Sequence, residues 1–160
     1  MTLRAEWQGT AISDNDRLIH GRQGRMFASK DYKTFKEDMA NELWRAVCAT
    51  GWDPIESRDF LLGRVYIRLQ VDLPPRMDTS AIIKAAGDAV QLSRVIHNDN
   101  QIDHWEVERV GRSPRGQSRI IFEIGELGLS EQVQGRVIDE MAASIRERSS
   151  GMGAGRDGLD

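Results

Sequence analysis

The fold is decided by residues 65–92, which read VYIRLQVDLPPRMDTSAIIKAAGDAVQL. Apolar and polar residues alternate in its first half, and this alternation predicts a strand within 61–73. The proline pair at 74–75 ends the strand, because proline cannot donate to the hydrogen-bond ladder of a sheet. A helix is then predicted over 79–92, capped by Asp78 or by the threonine that follows it. This stretch is therefore a strand-turn-helix unit.

Outward from this unit, apolar periodicity predicts strands and helices in both directions. The predictions are a strand in 1–12, a loop or loose hairpin over 17–30, a helix from Asp31 to Cys48, strands in 102–110 and 119–124, and a helix from Ser130 to Glu147. A turn rich in glycine and proline separates the two later strands, which most simply form a hairpin with an arginine-rich tip. This order of elements indicates an α+β fold with a small mixed sheet and flanking helices.

The composition is that of a soluble globular protein and excludes several classes. Of 160 residues, 39% are apolar and 29% are charged. No apolar run is long enough to span a membrane, and the first residues lack the apolar segment of a secretory signal, so we expect no membrane partner. The single cysteine, Cys48, excludes an internal disulfide and a cysteine-built zinc site. It fits a cytoplasmic protein.

The net charge of -3 conceals two basic segments. Residues 17–36 hold six basic residues and one acidic residue, and residues 109–119 hold four arginines and no acidic residue. Such segments in an acidic chain point to a locally anionic partner such as a phosphate backbone, although arginine-rich loops are also common on solvated surfaces. The candidate DNA-binding residues are Arg17, Arg22, Arg25, Lys30, Arg112 and Arg115.

The helix over 79–92 carries the residues best suited to chemistry. Ser80, Lys84 and Asp88 follow one another at spacings of four and share one helical face, while Asp99 lies in the polar turn after the helix. If the chain returns to the helix N-terminus, Asp78 and Asp99 meet beside a lysine, an arrangement that suits hydrated Mg²⁺ and a phosphate. The alternative is purely structural, with Asp78 as a helix cap and Asp99 as a turn residue.

These residues resemble the RusA family of Holliday-junction resolvases. The resemblance rests on Asp78 and on Lys84 and Asp88 after it, on the turn Asn98-Asp99-Asn100-Gln101, and on an upstream loop that leads into the first helix. It covers roughly residues 12–125. It implies a small α+β homodimer, often encoded by phages or prophages, that uses Mg²⁺ to cut four-way DNA junctions in recombination and repair.

The resemblance also implies roles for particular residues. Carried over by position, the catalytic residues are Asp78, Lys84 and Asp99, and the metal ligands are Asp78, Asp99 and Ser80, with Mn²⁺ as an alternative to Mg²⁺. The corresponding domain occupies 1–127. A helical extension at 128–148 and a disordered tail at 149–160 are predicted to follow it.

The chain departs from the family pattern at two positions. Ser80 stands where the family has its second aspartate, and Ala81 stands where it has an asparagine. A hydroxyl can ligate Mg²⁺ but brings no charge, so we expect weaker metal binding, which Asp88, Asp103 or Asn98 could offset. Two other functions stay open: a protein that binds branched DNA without cutting it, and an unrelated α+β interaction protein.

Overall fold

A computed structural model describes residues 1–13, 16–20, 26–53 and 58–128 of the chain. The elements are β1 (Thr2–Gly9), β2 (Leu18–His20), β3 (Met26–Ala28), α1 (Lys30–Ala49), β4 (Val65–Leu73), a 3₁₀ turn (Thr79–Ile82), α2 (Ile83–Leu92), a second 3₁₀ turn (Asp99–Gln101), β5 (Ile102–Arg112) and β6 (Ser118–Glu126). They all belong to the unit Met1–Glu126. The α+β prediction is confirmed, and the single helix expected over 79–92 is divided into a 3₁₀ turn and α2.

Four strands form a mixed sheet in the order β1-β6-β4-β5. β4 pairs in parallel with β5 and antiparallel with β6, and β6 also pairs antiparallel with β1. The connection β4-α2-β5 is thus a βαβ unit, which places two successive strands side by side and parallel. β2 and β3 pair antiparallel in a separate two-stranded sheet, which agrees with the second of the two alternatives, a loop or a loose hairpin, expected over 17–30.

The predicted hairpin between the strands at 102–110 and 119–124 is wrong, because β4 lies between β5 and β6. The 113–117 connection passes the end of β4, where the Ser113 amide donates to the carbonyl of Leu73 at 3.1 Å. Composition explains the arrangement. β5 is largely polar and suits a sheet edge, whereas Ile120, Phe122 and Ile124 of β6 are buried and need strands on both sides.

Both helices lie on one face of the sheet and enclose the hydrophobic core. α1 turns an apolar stripe toward it, in which Phe35, Met39, Leu43 and Val47 are buried. The opposite face of the sheet carries cross-strand ion pairs, including Arg68 with Glu106 at 2.9 Å. The helix predicted over 31–48 is therefore confirmed to within one residue at each end.

Ser29 is the N-cap of α1, and its hydroxyl accepts a hydrogen bond from the Tyr32 amide at 3.1 Å. We expect Ser29→Ala to lower the free energy of unfolding by about 1 kcal/mol, because one amide of the first turn loses its partner. Urea denaturation measures this loss. Ser29→Asp, which restores a cap acceptor, should recover most of it, and equal losses in the two variants would contradict the capping role.

Neither described α-helix is long and apolar enough to cross a membrane. The predicted helical extension at 128–148, apart from Gly128, and the predicted tail at 149–160 lie outside the described residues.

Candidate functional site

Asp78 sits where the chain turns from the end of β4 into the 3₁₀ turn. Its Oδ1 accepts hydrogen bonds from the Ser80 amide at 3.1 Å and the Thr79 hydroxyl at 3.4 Å. The hydrogen bond from Ser80 is the main reason that the pKa of Asp78 lies below its ordinary value. The side chain is solvent-exposed and stays anionic at neutral pH. Its hydrogen bond with the Ser80 amide confirms the predicted capping role.

Lys84, Asp88 and Asp99 line one cavity of about 280 Å³ beside α2. Trp105 of β5 forms part of its wall and faces Gly87 of α2, where a Cβ would make an ordinary van der Waals contact with the ring at 3.5 Å. The Lys84 Nζ lies 3.9 Å from one oxygen of Asp88. The fold thus brings together one cation and two carboxylates, which came from separate parts of the sequence.

A network centred on Gln101 fixes the turn that carries Asp99. The Gln101 side chain accepts from the His97 amide at 2.7 Å and donates to the carbonyls of Leu61 and Gly63 at 3.1 and 2.9 Å. Asn98 caps the turn by accepting from the Asn100 amide at 3.0 Å. Gln101 was part of the motif in the sequence, but its anchoring role depends on the segment before β4 and could not be read from spacing.

Of the three side chains suggested to offset the missing carboxylate at Ser80, only Asp88 faces the cavity. Asp103 is held by the guanidinium of Arg64, and Asn98 is used as a turn cap. Asp78 and Ser80 are not among the residues that line this cavity. Asp78 precedes Lys84 by six positions, which corresponds to about 9–12 Å along the helical axis. Within the described ranges, no three His, Cys, Asp or Glu side chains are grouped closely enough to hold a metal ion.

The basic segment at 109–119 is divided between structural and unpaired arginines. Arg109 donates to the backbone carbonyls of Leu73 and Met77, and thereby fixes the turn after β4. Arg119 donates to Glu6 at 2.8 Å, and this bond holds the pKa of Glu6 below its ordinary value. The guanidinium groups of Arg112 and Arg115 pair with none of the described residues.

The second predicted basic segment reaches the end of the sheet where β4 finishes. A cavity of about 570 Å³ is lined there by residues 10–13, by Asp16, by the turn at 74–77 and by the loop at 113–116. Arg76, which was not among the predicted contacts, lines it together with Arg115. The Ser29 amide donates to the Arg17 carbonyl at 2.7 Å, which brings Arg17 and Lys30 beside the N-terminus of α1. Arg22 and Arg25 lie outside the described residues.

No protein-family model and no curated protein matches this sequence.

Proposed function

We propose that this protein is a Mg²⁺-dependent endonuclease that cuts four-way DNA junctions, with the fold and mechanism of a RusA-type resolvase. The observation that carries the proposal is the shared cavity of Lys84, Asp88 and Asp99. Three of the residues in the motif that resembles the family are thereby neighbours in space, next to a helix that Asp78 introduces. Two carboxylates and a lysine on an open cavity suit phosphodiester hydrolysis.

The residues fit a largely hydrated Mg²⁺ that the substrate helps to hold, and they do not fit a closed protein cage. Mg²⁺ commonly keeps several waters and needs one or two carboxylates plus substrate phosphates, and Mn²⁺ accepts the same ligands. Asp99 is the principal ligand in this proposal, and Asp88 is the best-supported second carboxylate. Asp78 and Ser80, the further ligands that the family resemblance implies, lie outside the lining of this cavity. When bound, the metal activates a water molecule and polarises the scissile phosphate.

Lys84 has a distinct role in this proposal. Its side chain is 55% exposed, and the residue lines the cavity with Asp99, so the ammonium group can approach a bound phosphodiester. A cation placed there stabilises the negative charge that develops on the phosphate and on the leaving oxygen. The ion pair with Asp88 at 3.9 Å keeps this flexible side chain near the cavity.

The cationic end of the sheet supports binding of a DNA backbone. Arg76 and Arg115 line one cavity there, and Arg17 and Lys30 lie at the N-terminus of α1, where backbone amides also favour anions. We further propose a cytoplasmic homodimer, whose twofold axis would present two cavities to the two symmetric strands of a junction. Four exposed apolar side chains on the β2–β3 hairpin support self-association: Leu18, Ile19, Met26 and Phe27.

A second candidate function is binding of branched DNA without cleavage. It is favoured by the environment of Asp88, whose two oxygens lie 3.6 Å from Lys36 and 3.9 Å from Lys84. Both lysines compete with a cation for this carboxylate. Ser80 adds no charge to compensate, so the metal affinity of such a site would be low.

Nicking of a synthetic four-way junction, measured across a Mg²⁺ titration, tests the proposed nuclease. We expect paired cuts by the wild-type protein and a lower Mg²⁺ requirement in Ser80→Asp, because the variant restores a carboxylate one turn before Lys84. Thr79→Asp is the matched control, since it adds the same charge in a different direction. Intact junction binding with no cuts in Mg²⁺ or Mn²⁺ would favour the binding protein, and absent or salt-insensitive binding would favour an unrelated interaction protein.

A further inference from the structure

Arg94 has an unusual backbone conformation at the C-terminal end of α2. Its φ is 61°, and within the described residues it is the one non-glycine residue with positive φ. This left-handed conformation costs most side chains free energy, and glycine is the usual residue just after a helix. The backbone there is fixed, because the Arg94 carbonyl accepts from the Phe60 amide at 3.0 Å. An arginine that is retained in a conformation suited to glycine points to a use for its side chain.

Arg94 lines a groove of about 810 Å³ together with Lys36, Arg58, His97 and two aspartates. The two aspartates already have partners. Asp88 lies 3.6 Å from Lys36, and Asp59 lies 3.2 Å from the Nδ1 of His97. By contrast, the guanidinium groups of Arg58 and Arg94 pair with nothing in the part of the chain that the structure describes. The charge left without a partner on the groove is therefore positive.

This groove adjoins the candidate catalytic cavity. Asp88 and Gln91 line both of them, so one continuous surface runs from Asp99 and Lys84 to Arg58 and Arg94. Lys36 of α1 lies at the junction of the two, where it approaches Asp88. A polyanion that enters the cavity would therefore meet the two unpaired arginines next.

We propose that this groove binds the phosphate backbone of the DNA strand that leaves the cavity, with Arg58 and Arg94 as its phosphate contacts. The inference rests on the proposed function, since it names the path of the substrate past that site. Its location is distinct from the cavity that holds Arg76 and Arg115, because Arg76 precedes α2 in the chain and Arg94 follows it. The strained backbone at Arg94 is then the structural cost of placing a guanidinium in this groove.

Arg94→Gly separates binding from stability. Glycine adopts positive φ freely, so this variant should unfold at the same temperature as the wild type or higher. It should nevertheless bind a labelled four-way junction about tenfold more weakly, because one charge-assisted phosphate contact is lost. Arg58→Gln should show a similar loss, and each variant should reduce the slope of log affinity against log salt by about 1. Arg94→Lys should retain most of the affinity.

Fluorescence anisotropy in EDTA across a salt series, together with thermal unfolding, measures these effects. Arg45→Gln, which changes an exposed arginine of α1 outside the groove, is the control and should bind like the wild type.

If the wild type binds the junction and Arg94→Gly and Arg58→Gln bind it equally well, the groove assignment is wrong while the proposed function stands. A fall in unfolding temperature of several degrees in Arg94→Gly would make Arg94 structural and overturn the inference. Stronger binding of an RNA duplex would overturn the choice of DNA. A wild type that binds no nucleic acid would refute the proposed function itself.

Discussion

Asp99→Asn should reduce junction cleavage by about 100-fold or more while it leaves junction binding nearly unchanged. Asparagine preserves the shape of the side chain but removes the negative charge that a divalent cation requires. Loss of a metal ligand should reduce activity at least as much as loss of a residue that hydrogen-bonds to a ligand, which typically lowers activity by about 10–100-fold. The turn itself should persist, because Asn98 and Gln101 hold it through groups that the substitution does not touch. Nicking rates at saturating Mg²⁺, together with the affinity for the junction, measure the two effects separately.

Asp103→Asn is the matched control for this substitution. It makes the same chemical change four residues later, on a carboxylate that is occupied by Arg64 and does not line the cavity. We expect cleavage in this variant to stay within a few-fold of the wild type, since an exposed ion pair contributes about 1 kcal/mol or less. Near-normal cleavage by Asp99→Asn, or equal losses in the two variants, would remove Asp99 from the proposed metal site.

Local structure was predictable from this sequence because the deciding interactions lie within a few residues of each other. The apolar stripe of α1 and its Ser29 cap are set by spacings of three and four along the chain. The cap formed by Asp78 likewise depends on an amide only two residues away. Among the described residues, these patterns predicted α1, the four strands of the main sheet and the α+β class.

The strand order was not predictable in the same way, because it depends on competition between distant segments. Two strands separated by a short loop most simply form a hairpin. Here β5 instead pairs in parallel with β4, to which α2 connects it. The free edge of β4 was then the better partner for the apolar β6. The structural use of Arg109 and Arg119 follows from this order, since each bonds to a segment far away in sequence.

The sequence predicted which residues form the candidate site better than it predicted their positions in space. Spacing along α2 correctly gave Lys84 and Asp88 one face, and both line the cavity with Asp99. The division of the predicted helix into a 3₁₀ turn and α2 changes the path between Asp78 and Lys84, which a sequence pattern does not record. Arg76 and Arg94 were also missed, because the first follows a proline pair and the second a helix end, with no motif to mark either.

Phe122→Ala should have the largest effect on stability, with a loss of about 3–5 kcal/mol in the free energy of unfolding. Phe122 lies in β6 between Ala5 of β1 and Leu69 of β4, and its side chain is 1% exposed. Truncation leaves a cavity that the paired strands on both sides cannot close. Because single domains are stable by about 5–15 kcal/mol, a loss of this size leaves the fold marginal, and the urea midpoint should fall steeply.

Ile121→Ala tests whether the loss depends on the face of the sheet. Ile121 is the adjacent residue of β6 and is 8% exposed, yet it lies outside the core cluster that contains Phe122. Successive side chains of a strand point to opposite faces, so only Phe122 is packed beneath the helices. We expect the Ile121→Ala loss to be less than half of the Phe122→Ala loss. Equal losses would contradict a core confined to the helix-covered face, and an unfolding energy unchanged by Phe122→Ala would contradict the central place of β6 in the sheet.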